Sequence, residues 1–327
     1  MRALAEARTN IALVKYWGKC DPQWNLPAVP SLSLTLDGLT TRTEVWLDRQ
    51  WTADSLIVND VALHGAPLER ASRHLDRVLG PTRPRARVTS WNSFPTASGL
   101  ASSASAFAAL TVAAAAAGGL HLDAERLSIL ARQGSGSAAR SILGGIVVLG
   151  VGTPGQPDSA RATQLCAPED WPALRLVLGI VSEEPKDTPS TDGMNHTAMT
   201  SPYYGPWLAA APGDLRQAVE AVKKRDLEAL GTVAERSALR MHASALAADP
   251  AVVYLRGATV EGLHAIRALR AAGVPAWFTC DAGPHPKALT DARYVAQVAA
   301  ALARVDGVRR TLSAAPGAGA RLLEEAP

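Results

Sequence analysis

The serine- and glycine-rich stretch Pro95-Thr-Ala-Ser-Gly-Leu-Ala-Ser-Ser-Ala104 follows a short strand pattern, Arg87-Val-Thr-Ser-Trp91, and runs into an alanine-rich apolar segment that ends at Leu120. The N-terminus of a helix offers unpaired N–H groups and about half a positive charge, and small residues let a phosphate approach the backbone. This order of strand, small-residue loop and buried helix predicts an anion site, although close packing of a helix would use the same small residues. The stretch is not a Walker A element, because it lacks the GxxxxGK[ST] pattern and contains no lysine.

The composition is that of a globular protein with a sizeable core. The chain has 327 residues, of which 47% are hydrophobic and 19% charged. Single cores stop growing near about 250–300 residues, so we expect two lobes. The net charge of +3 is small and the basic residues are scattered, which excludes the basic stripe of a nucleic-acid-binding protein and favours an anionic small molecule as ligand.

Neither the cysteines nor the apolar segments indicate an oxidising or a membrane environment. Cys20, Cys166 and Cys280 stand far apart without a CxxC pair, so they predict neither a disulfide framework nor a zinc site. The apolar segment from Ala104 to Leu120 is shorter than the roughly 20 residues of a membrane span. The N-terminus shows no secretory signal. We therefore expect a cytoplasmic protein without a membrane partner.

The periodicity of apolar residues predicts alternating strands and helices. Strands are expected at 31–36, 41–47, 87–91, 146–149, 174–181 and 276–280, and helices at 68–79, 104–120, 123–133, 213–231, 232–246 and 257–272, with a loop at 182–193. The glycine- and proline-rich segment Gly150 to Pro157 has the least regular pattern. We place the boundary after it, which divides the chain into lobes of residues 1–170 and 171–327.

Lysine is scarce in this arginine-rich chain, and its positions indicate function. The six lysines are Lys15, Lys19, Lys186, Lys223, Lys224 and Lys287. Four of them, Lys15, Lys19, Lys186 and Lys287, fall inside or close to the segments discussed below. Lysine is a compact charge whose pKa shifts readily, whereas arginine carries a planar, fork-shaped group. The few lysines in such an arginine-rich chain therefore suggest functional positions. Chance in an alanine- and arginine-rich sequence is the alternative.

Six segments, in order along the chain, resemble signatures of the mevalonate diphosphate decarboxylase family, and the serine-rich stretch resembles the phosphate-binding loop of the wider GHMP kinase superfamily. The segments are Asn10-Ile-Ala-Leu-Val-Lys-Tyr-Trp-Gly-Lys19, Asn25-Leu-Pro27, Asn92-Ser-Phe-Pro-Thr96, Gly134-Ser-Gly-Ser-Ala-Ala-Arg140, Met241-His-Ala243 and Asp281-Ala-Gly-Pro284. The resemblance spans nearly the whole chain, and the first and fourth segments are its most specific parts.

The resemblance implies an α/β (α+β) fold of the GHMP kinase type. The N-terminal lobe would resemble domain 2 of ribosomal protein S5, the C-terminal lobe would be ferredoxin-like, and the active site would lie in the cleft between them. The implied reaction is the ATP-dependent decarboxylation of mevalonate 5-diphosphate to isopentenyl diphosphate, through phosphorylation of the C3 hydroxyl. ATP and mevalonate 5-diphosphate are the expected partners, Mg²⁺ the expected cofactor and a homodimer the expected assembly.

The resemblance also implies three catalytic residues. Asp281 matches the aspartate that orients or deprotonates the C3 hydroxyl. Lys15 matches a lysine near the reacting centre, where a cation offsets developing negative charge. Arg140 matches the arginine that contacts the carboxylate and phosphates of the substrate, a task that suits a bidentate fork. Without the resemblance, Asp281 would be interpreted as a turn residue and Lys15 as a strand lysine.

Further positions match the binding residues of the family. The expected substrate contacts are Tyr16, Lys19, Arg70, Ser135, Ser137, Arg140, Ser190 and Thr191. The expected ATP contacts are Asn92, Pro95, Ser98, Gly99, Leu100, Ala101, Ser102, Ser103 and Lys186, with Ser102 also a magnesium ligand. Lys186, Ser190 and Thr191 would belong to a lid over the site.

The chain departs from the family pattern at several positions. His285 follows Asp-Ala-Gly-Pro where asparagine is common, and we interpret it as a surface variation. Thr191 stands where some bacterial members carry arginine, which would weaken selection for a diphosphate. The late segment Gly317-Ala-Gly319 lacks the usual central serine. His242 is expected to support the site by packing and hydrogen bonding.

Two alternatives remain open at this point. A close relative would decarboxylate mevalonate 5-phosphate or only phosphorylate a mevalonate C3 hydroxyl. A ligand-binding protein would have kept the fold and lost turnover. The presence of Asp281, Lys15 and Arg140 together favours decarboxylation over simple phosphorylation and over a protein without turnover. It leaves the choice between the diphosphate and the monophosphate open.

Overall fold

The computed structural model describes residues 1–94, 102–184 and 186–326, which form two sheets with helices packed against both. The strands are β1 (Arg2–Val14), β2 (Lys19–Asp21), β3 (Leu26–Pro27), β4 (Ser31–Asp48), β5 (Ser55–Val58), β6 (Val61–Leu63), β7 (Arg85–Asn92), β8 (Ile146–Leu149), β9 (Ala162–Cys166), β10 (Leu174–Ile180), β11 (Ala276–Thr279), β12 (Lys287–Asp291), β13 (Arg310–Ala314) and β14 (Arg321–Ala326). The helices are α1 (Ala66–Leu79), α2 (Ser102–Ala117), α3 (Ala124–Gly134), α4 (Ala138–Ser141), α5 (Ser190–Thr200), α6 (Tyr204–Lys224), α7 (Leu227–Leu246), α8 (Gly257–Ala271) and α9 (Val295–Ala303). The mixed α/β fold class is confirmed.

The first sheet is built around the long strand β4. Its strand order is β14-β1-β4-β7-β5-β6, and β8 and β9 extend it from the first half of β4. Residues 31–36 of β4 are buried on both faces, whereas its second half alternates between buried and exposed residues. The two predicted strands at 31–36 and 41–47 are therefore one strand. The chain turns slightly between them at Gly38, whose φ of 80° favours glycine.

Helix α2 packs directly on this sheet. Most of its residues are buried, on every side of the helix, and it contacts β1 and β4 most extensively. Its side chains are mainly alanine, which brings the helix close to the strands without large voids. Among the helices of the described ranges, none is both long and apolar enough to cross a membrane.

The second sheet lies between two helical layers. Its order is β11-β12-β10-β13, and all of its pairings are antiparallel. Strand β10 alternates between the two faces: Leu176 and Leu178 pack in a core with α6 and α7, and Val177 packs in a core with α8 and α9. β12 is an internal strand of this sheet, with partners on both sides.

The two sheets share one hydrophobic core. Leu32 and Leu34 of β4 and Leu176 and Leu178 of β10 belong to the same cluster of buried residues, together with Leu230 of α7. The C-terminal strand β14 returns to the first sheet and pairs with β1. The predicted boundary between residues 170 and 171 stays a prediction, since the last strand of the chain belongs to the first sheet.

Three boundaries in the second half of the chain differ from the sequence prediction. Residues 190–200 form α5, where a loop was expected. Helix α6 covers residues 204–224 instead of starting at 213, because Pro206 lies in its first turn and Pro212 is accommodated inside the helix. The next helix starts at Leu227, since Arg225 has a left-handed conformation and Asp226 caps α7 by accepting a hydrogen bond from the Ala229 amide.

A buried ion-pair network fixes α1 against the sheet. Both Nη atoms of Arg83 donate to Asp54, at 2.9 and 2.6 Å, and its Nε donates to Asp76 at 2.9 Å. The Ala86 amide also donates to Asp54 at 2.8 Å. Burial alone would raise the pKa of Asp54, but the hydrogen bonds from Arg83 and Ala86 outweigh it and lower this pKa to about 2.

We predict that Asp54→Asn lowers the free energy of unfolding by about 3 kcal/mol, because it leaves the buried Arg83 charge unpaired. Since the folded-state pKa of Asp54 is depressed, its stabilisation is present above about pH 4 and is lost as the pH falls toward about 2. Urea unfolding at pH 7 and at pH 3 measures both effects. Asp158→Asn, in the exposed pair with Arg126, is the control and should cost less than about 1 kcal/mol. Equal losses in the two variants would contradict the assignment.

Candidate active site

A cavity of about 520 Å³ opens between the two sheets. It is lined by the residues that follow β1, by the segment between α3 and α4, by the start of α2, by the start of α5 and by the segment after β11. Its lining residues are Asn10, Ala12, Lys15, Tyr16, Trp17, Lys19, Asn25, Arg70, Ser102, Ser103, Ser135, Gly136, Ser137, Arg140, Lys186, Pro189, Ser190, Thr191, Met194, Met241, Asp281 and Ala282. Thirteen of these were named from the sequence as site residues.

Asp281 is held between two lysines at one end of the cavity. Lys15 Nζ lies 2.6 Å from Asp281 Oδ1, and Lys287 Nζ lies 3.2 Å from Oδ2. Both lysine side chains are 1% exposed, whereas that of Asp281 is 23% exposed and lines the cavity. Lys15 Nζ also donates to the Ala12 carbonyl at 2.7 Å. A carboxylate with two ammonium partners therefore presents its free face to a ligand.

The two lysines keep Asp281 ionised. Burial by itself would raise the pKa of this carboxyl, but the neighbouring charges of Lys15 and Lys287 outweigh burial and hold the pKa of Asp281 well below its usual range. Burial lowers the pKa of Lys15, and the Asp281 charge opposes that change. Asp281 is thus a hydrogen-bond acceptor across the physiological pH range.

Arg140 is a buried cation, and its hydrogen-bond partners in the described residues are neutral groups. Its Nε donates to Ser33 Oγ at 3.0 Å and to Asn10 Oδ1 at 3.3 Å, and its Nη1 donates to Ser31 Oγ at 2.8 Å. Burial lowers the pKa of Arg140 to about 10, so the group stays charged at neutral pH. Across the described parts of the chain, no carboxylate forms an ion pair with it. A buried charge without a counter-ion is costly, so this position favours an anionic ligand.

The segment between α3 and α4 brings hydroxyl groups together beside Tyr16. Ser135 Oγ donates to Ser103 Oγ at 3.3 Å and lies 3.5 Å from Ser137 Oγ. A Cβ atom at Gly136 would lie 2.3 Å from Tyr16 Oη, so glycine is required for this close approach. Burial raises the pKa of Tyr16, which therefore stays a neutral donor or acceptor.

Part of the cavity wall is basic and is formed by Lys19 and Arg70. Burial, together with the neighbouring charge of Arg70, lowers the pKa of Lys19 to about 8. Arg70 donates to the Gly134 carbonyl at 2.9 Å and lies over the Phe107 ring at 4.4 Å from its centroid. Burial, and then the charge of Arg73, lowers the pKa of Arg70. Such a concentration of positive charge suits a ligand with several negative charges.

The predicted lid residues lie at the start of α5. Lys186 Nζ donates to Ser190 Oγ at 3.1 Å, and burial lowers the pKa of Lys186 to about 8. Thr191 lines the cavity next to Ser190. A Cβ at Gly193 would lie 2.2 Å from Tyr254 Oη, so this turn of α5 packs closely against the segment between α7 and α8.

Some predicted ATP contacts are not placed on the cavity. Asn92 is outside its lining, because the Asn92 Oδ1 accepts a hydrogen bond from Thr41 at 2.7 Å. Pro95, Ser98, Gly99, Leu100 and Ala101 lie outside the described residues. Ser102 and Ser103, which follow them at the start of α2, do line the cavity.

The interpretation of His285 as a surface variation is wrong. His285 is 0% exposed, and its Nδ1 accepts a hydrogen bond from the Val181 amide at 3.1 Å. The residue therefore ties the segment after β11 to the end of β10. His242 is buried as expected and packs edge-on against Tyr254, with burial lowering its pKa to about 4.

Sequence analysis missed Lys287, Ser31 and Ser33 as parts of the site. Lys287 is one of the six lysines and follows Asp281 by six residues, which is a signal that could have identified it. Ser31 and Ser33 alternate with leucines, so the two-residue period places both hydroxyls on the same face of β4. The two-residue period indicated the strand, but it did not indicate that the two hydroxyls would accept hydrogen bonds from Arg140.

Comparison with known proteins gives consistent relatives over the whole chain. Residues 7–161 match the model of the diphosphomevalonate decarboxylase-like N-terminal domain, and residues 176–315 match that of the mevalonate 5-diphosphate decarboxylase C-terminal domain. The chain is 36% identical to the diphosphomevalonate decarboxylase of Candida albicans, over 86% of this chain and 82% of the relative. It is 33% identical to the human enzyme of the same name, over 90% of this chain and 78% of the relative.

Solved structures agree with these sequence relatives. A structure of the protein called MDDEF in complex with MVAPP, AMPPCP and magnesium matches with a TM-score of 0.92 and 37% identity, over 99% of both chains. The mevalonate diphosphate decarboxylase of Staphylococcus aureus matches with a TM-score of 0.92 and 35% identity, over 99% of this chain and 98% of that chain.

We predict that Gly136→Ala destabilises the protein by about 1–3 kcal/mol, because the added methyl group displaces the half-buried Tyr16 ring. Urea unfolding followed by tryptophan fluorescence measures the change. Gly150→Ala is the matched control, since a Cβ at Gly150 meets nothing within 4 Å. Unfolding midpoints that coincide for the two variants would show that the contact between Gly136 and Tyr16 is not tight.

Proposed function

The chain belongs to the diphosphomevalonate decarboxylase family, and we propose that Asp281, Lys15 and Arg140 carry the reaction of this family in the cavity between its two sheets. The chain is an ATP-dependent decarboxylase of the mevalonate pathway, which converts mevalonate 5-diphosphate into isopentenyl diphosphate with release of ADP, phosphate and carbon dioxide. The observation that carries the residue assignment is an ionised aspartate that faces the same cavity as a buried arginine, which forms no ion pair within the described residues.

Asp281 is proposed to orient the C3 hydroxyl of the substrate and to accept its proton. Because Asp281 has a low pKa, it is a weak base. Phosphoryl transfer passes through a loose transition state in most analyses, in which the hydroxyl needs position more than a strong base. A fixed, ionised acceptor meets that need. Lys15, 2.6 Å from the carboxylate, would offset negative charge that develops nearby.

Arg140 is proposed to bind the substrate carboxylate until carbon dioxide leaves. Expulsion of the C3 phosphate leaves carbocation-like character at C3. The bond between the carboxylate carbon and C2 can then break, so that its electron pair forms the double bond between C2 and C3 and carbon dioxide leaves. The hydroxyls of Ser31 and Ser33 fix the guanidinium while leaving it without an internal anion. The substrate would supply the missing negative charge.

The remaining lining residues are proposed to bind phosphates. The diphosphate of the substrate would lie against Tyr16, Lys19, Arg70, Ser135, Ser137, Ser190 and Thr191. Lys186 and the start of α2 would contact ATP. Asn92, Pro95, Ser98, Gly99, Leu100 and Ala101 stay proposed ATP contacts.

The serine oxygens at the start of α2 fit a magnesium ion that is carried by the nucleotide. Mg²⁺ prefers oxygen ligands and is usually bound by few protein groups together with substrate phosphates. Ser102 and Ser103 supply hydroxyl oxygens at the cavity wall, and we propose Ser102 as a ligand. Such an ion would neutralise part of the charge of the nucleotide phosphates.

We also propose that the protein acts in the cytoplasm as a homodimer. The free cysteines Cys20, Cys166 and Cys280 are consistent with a reducing compartment. The dimer is proposed from family resemblance.

The reaction is tested by measuring ADP and carbon dioxide release from the purified protein with magnesium, ATP and either mevalonate 5-diphosphate or mevalonate 5-phosphate. We expect a strong preference for the diphosphate and equal amounts of the two products. Thr191 is the position that could relax this preference, since it supplies a hydroxyl rather than a cation. A preference for the monophosphate, or ADP without carbon dioxide, would overturn the substrate or the reaction.

We predict that Asp281→Asn binds both ligands nearly as the parent does and loses turnover by roughly 100-fold or more, within the range for a positioned acid–base group. The substitution keeps size and polarity but removes the charge between the lysines. Isothermal calorimetry measures binding, and coupled ADP release measures turnover. Asp158→Asn, at an exposed pair, should leave turnover unchanged. Parent-like turnover of Asp281→Asn would remove Asp281 from the mechanism.

A further inference from the structure

Lys287 is the one buried lysine at the reaction centre that the proposed function does not yet use. It is the first residue of β12, an internal strand, where it pairs in register with Thr279 of β11 and Leu178 of β10. Hydrogen bonding on both sides of the strand gives its backbone a defined position. Its side chain is 1% exposed, and its Nζ contacts only Asp281 Oδ2, at 3.2 Å, and the His285 carbonyl, at 3.3 Å, within the described ranges.

The two lysines contact different oxygens of the same carboxylate and come from different sheets. Lys15 follows β1 of the first sheet and contacts Oδ1, whereas Lys287 begins β12 of the second sheet and contacts Oδ2. The χ2 torsion of an aspartate is broad and roughly two-fold. A carboxylate that is held at one oxygen can therefore rotate about that contact. A second cation on the other oxygen removes this freedom.

The other titratable groups around Asp281 do not replace Lys287. Burial lowers the pKa of His242 to about 4 and raises that of Cys280 to about 11, so both are neutral near pH 7. Arg140 and Lys186 are cationic, but their closest partners are the serines that hold them. Lys15 and Lys287 are the two cations with ion pairs to Asp281 in the described part of the protein.

We propose that Lys287 is a positioning residue for the reaction: it fixes the plane of the Asp281 carboxylate against Lys15, so that the remaining lone pairs face the substrate hydroxyl. A carboxylate has about four lone-pair sites, and the two lysines occupy one on each oxygen. Oδ2 itself is buried, so the site that stays available to a ligand is on Oδ1, toward the cavity that Asp281 lines. The inference rests on the role proposed for Asp281.

Lys287 has a second effect that follows from its charge. An opposite charge within about 4–6 Å lowers the pKa of a carboxyl by about 1–3 units, and Asp281 has two such neighbours. Removal of Lys287 should therefore raise the pKa of Asp281 and move the acid limb of the rate profile to higher pH. A role in packing alone would not produce that change.

The test is a double-mutant cycle with Lys287→Met in the parent and in the Asp281→Asn background. We expect Lys287→Met to lower kcat by roughly 10- to 100-fold, the scale of rate lost when a reacting group is misplaced by about 1 Å. KM for both substrates should stay within about threefold, because Lys287 does not line the cavity. In the Asp281→Asn background, Lys287→Met should change kcat by less than about twofold, since no ionised carboxylate remains to be positioned.

Thr290→Val is the matched control on the same strand. Thr290 is buried in β12 and donates to the Pro275 carbonyl at 2.7 Å, away from Asp281. Any loss that it causes should be the same factor in both backgrounds. Equal factors for Lys287→Met in both backgrounds would instead mark Lys287 as structural and overturn the proposal. So would a kcat within twofold of the parent.

Lys287→Arg and the pH profile provide independent readouts. Lys287→Arg keeps the charge and should recover part of kcat and the acid limb of the parent, whereas Lys287→Met should show an acid limb displaced to higher pH by about one unit or more. The profile is measured below pH 7, where Lys186 stays protonated. An unchanged limb in Lys287→Met would overturn the proposal.

The experiment also covers a Lys287 variant that does not fold and a parent protein that lacks the proposed activity. If Lys287→Met does not fold, the same cycle is run with Lys287→Gln, whose amide still donates to Asp281 but carries no charge. Its loss should likewise disappear in the Asp281→Asn background, and persistence there would overturn the proposal. Failure of the parent to release carbon dioxide would overturn the proposed function, whereas the ratio of the Lys287 effects in the two backgrounds tests the inference alone.

Discussion

Asp281, on the wall of the cavity, forms ion pairs with Lys15 from the first sheet and Lys287 from the second. These two ion pairs connect the sheets. Each of these charges would be costly to bury alone, and removal of one partner leaves the others uncompensated. Lys15 is further tied to the second lobe by its backbone amide, which donates to Ser237 Oγ at 3.0 Å. The relative position of the two sheets is therefore coupled to the ionisation of one carboxylate.

The rest of the cavity is organised around an excess of positive charge. Two lysines contact one aspartate, and Arg140 forms no ion pair within the described residues. Anions are therefore drawn to the cleft, and their binding completes the charge balance that the protein leaves open.

Arg140 depends on the unusual burial of the first half of β4. Ser31 and Ser33 lie in a strand that is buried on both faces, so their hydroxyls lack water and are oriented by their protein partners. The strand β8 pairs with the same residues on the other edge and keeps them in register. A guanidinium held in this way has little freedom, which lowers the entropy cost of binding a carboxylate.

The sequence predicted the elements with strong local signals and the residues that carry short motifs. The strands of β4, β10 and β11 and the helices α1, α3 and α8 follow from periodicity, capping residues and turn residues. The start of α6 was missed because Pro212-Gly213 resembles a helix start, whereas tertiary packing carries the helix through it.

It was harder to predict which side chains contact each other in the site than to predict which residues belong to it. Asp281 and Lys15 are separated by 266 positions, and nothing local indicates that Lys287 contacts the second oxygen. Burial of His285 depends on how the segment after β11 packs against β10, which a local pattern does not contain. Periodicity places a side chain on a face, but only the packed fold decides what lies opposite.

The return of β14 to the first sheet has a consequence for how the chain acquires its structure. Without β14, β1 would present a row of unpaired N–H and C=O groups, which is a template for pairing with other chains. The buried Glu6 of β1 would also lose its contact with Arg321, which lies 3.1 Å away. During synthesis the first lobe emerges well before this strand, so its sheet stays open at one edge until the second lobe has been made. An isolated N-terminal lobe should therefore be prone to aggregation. The first sheet can be completed only after the whole chain, including β14, has been synthesised.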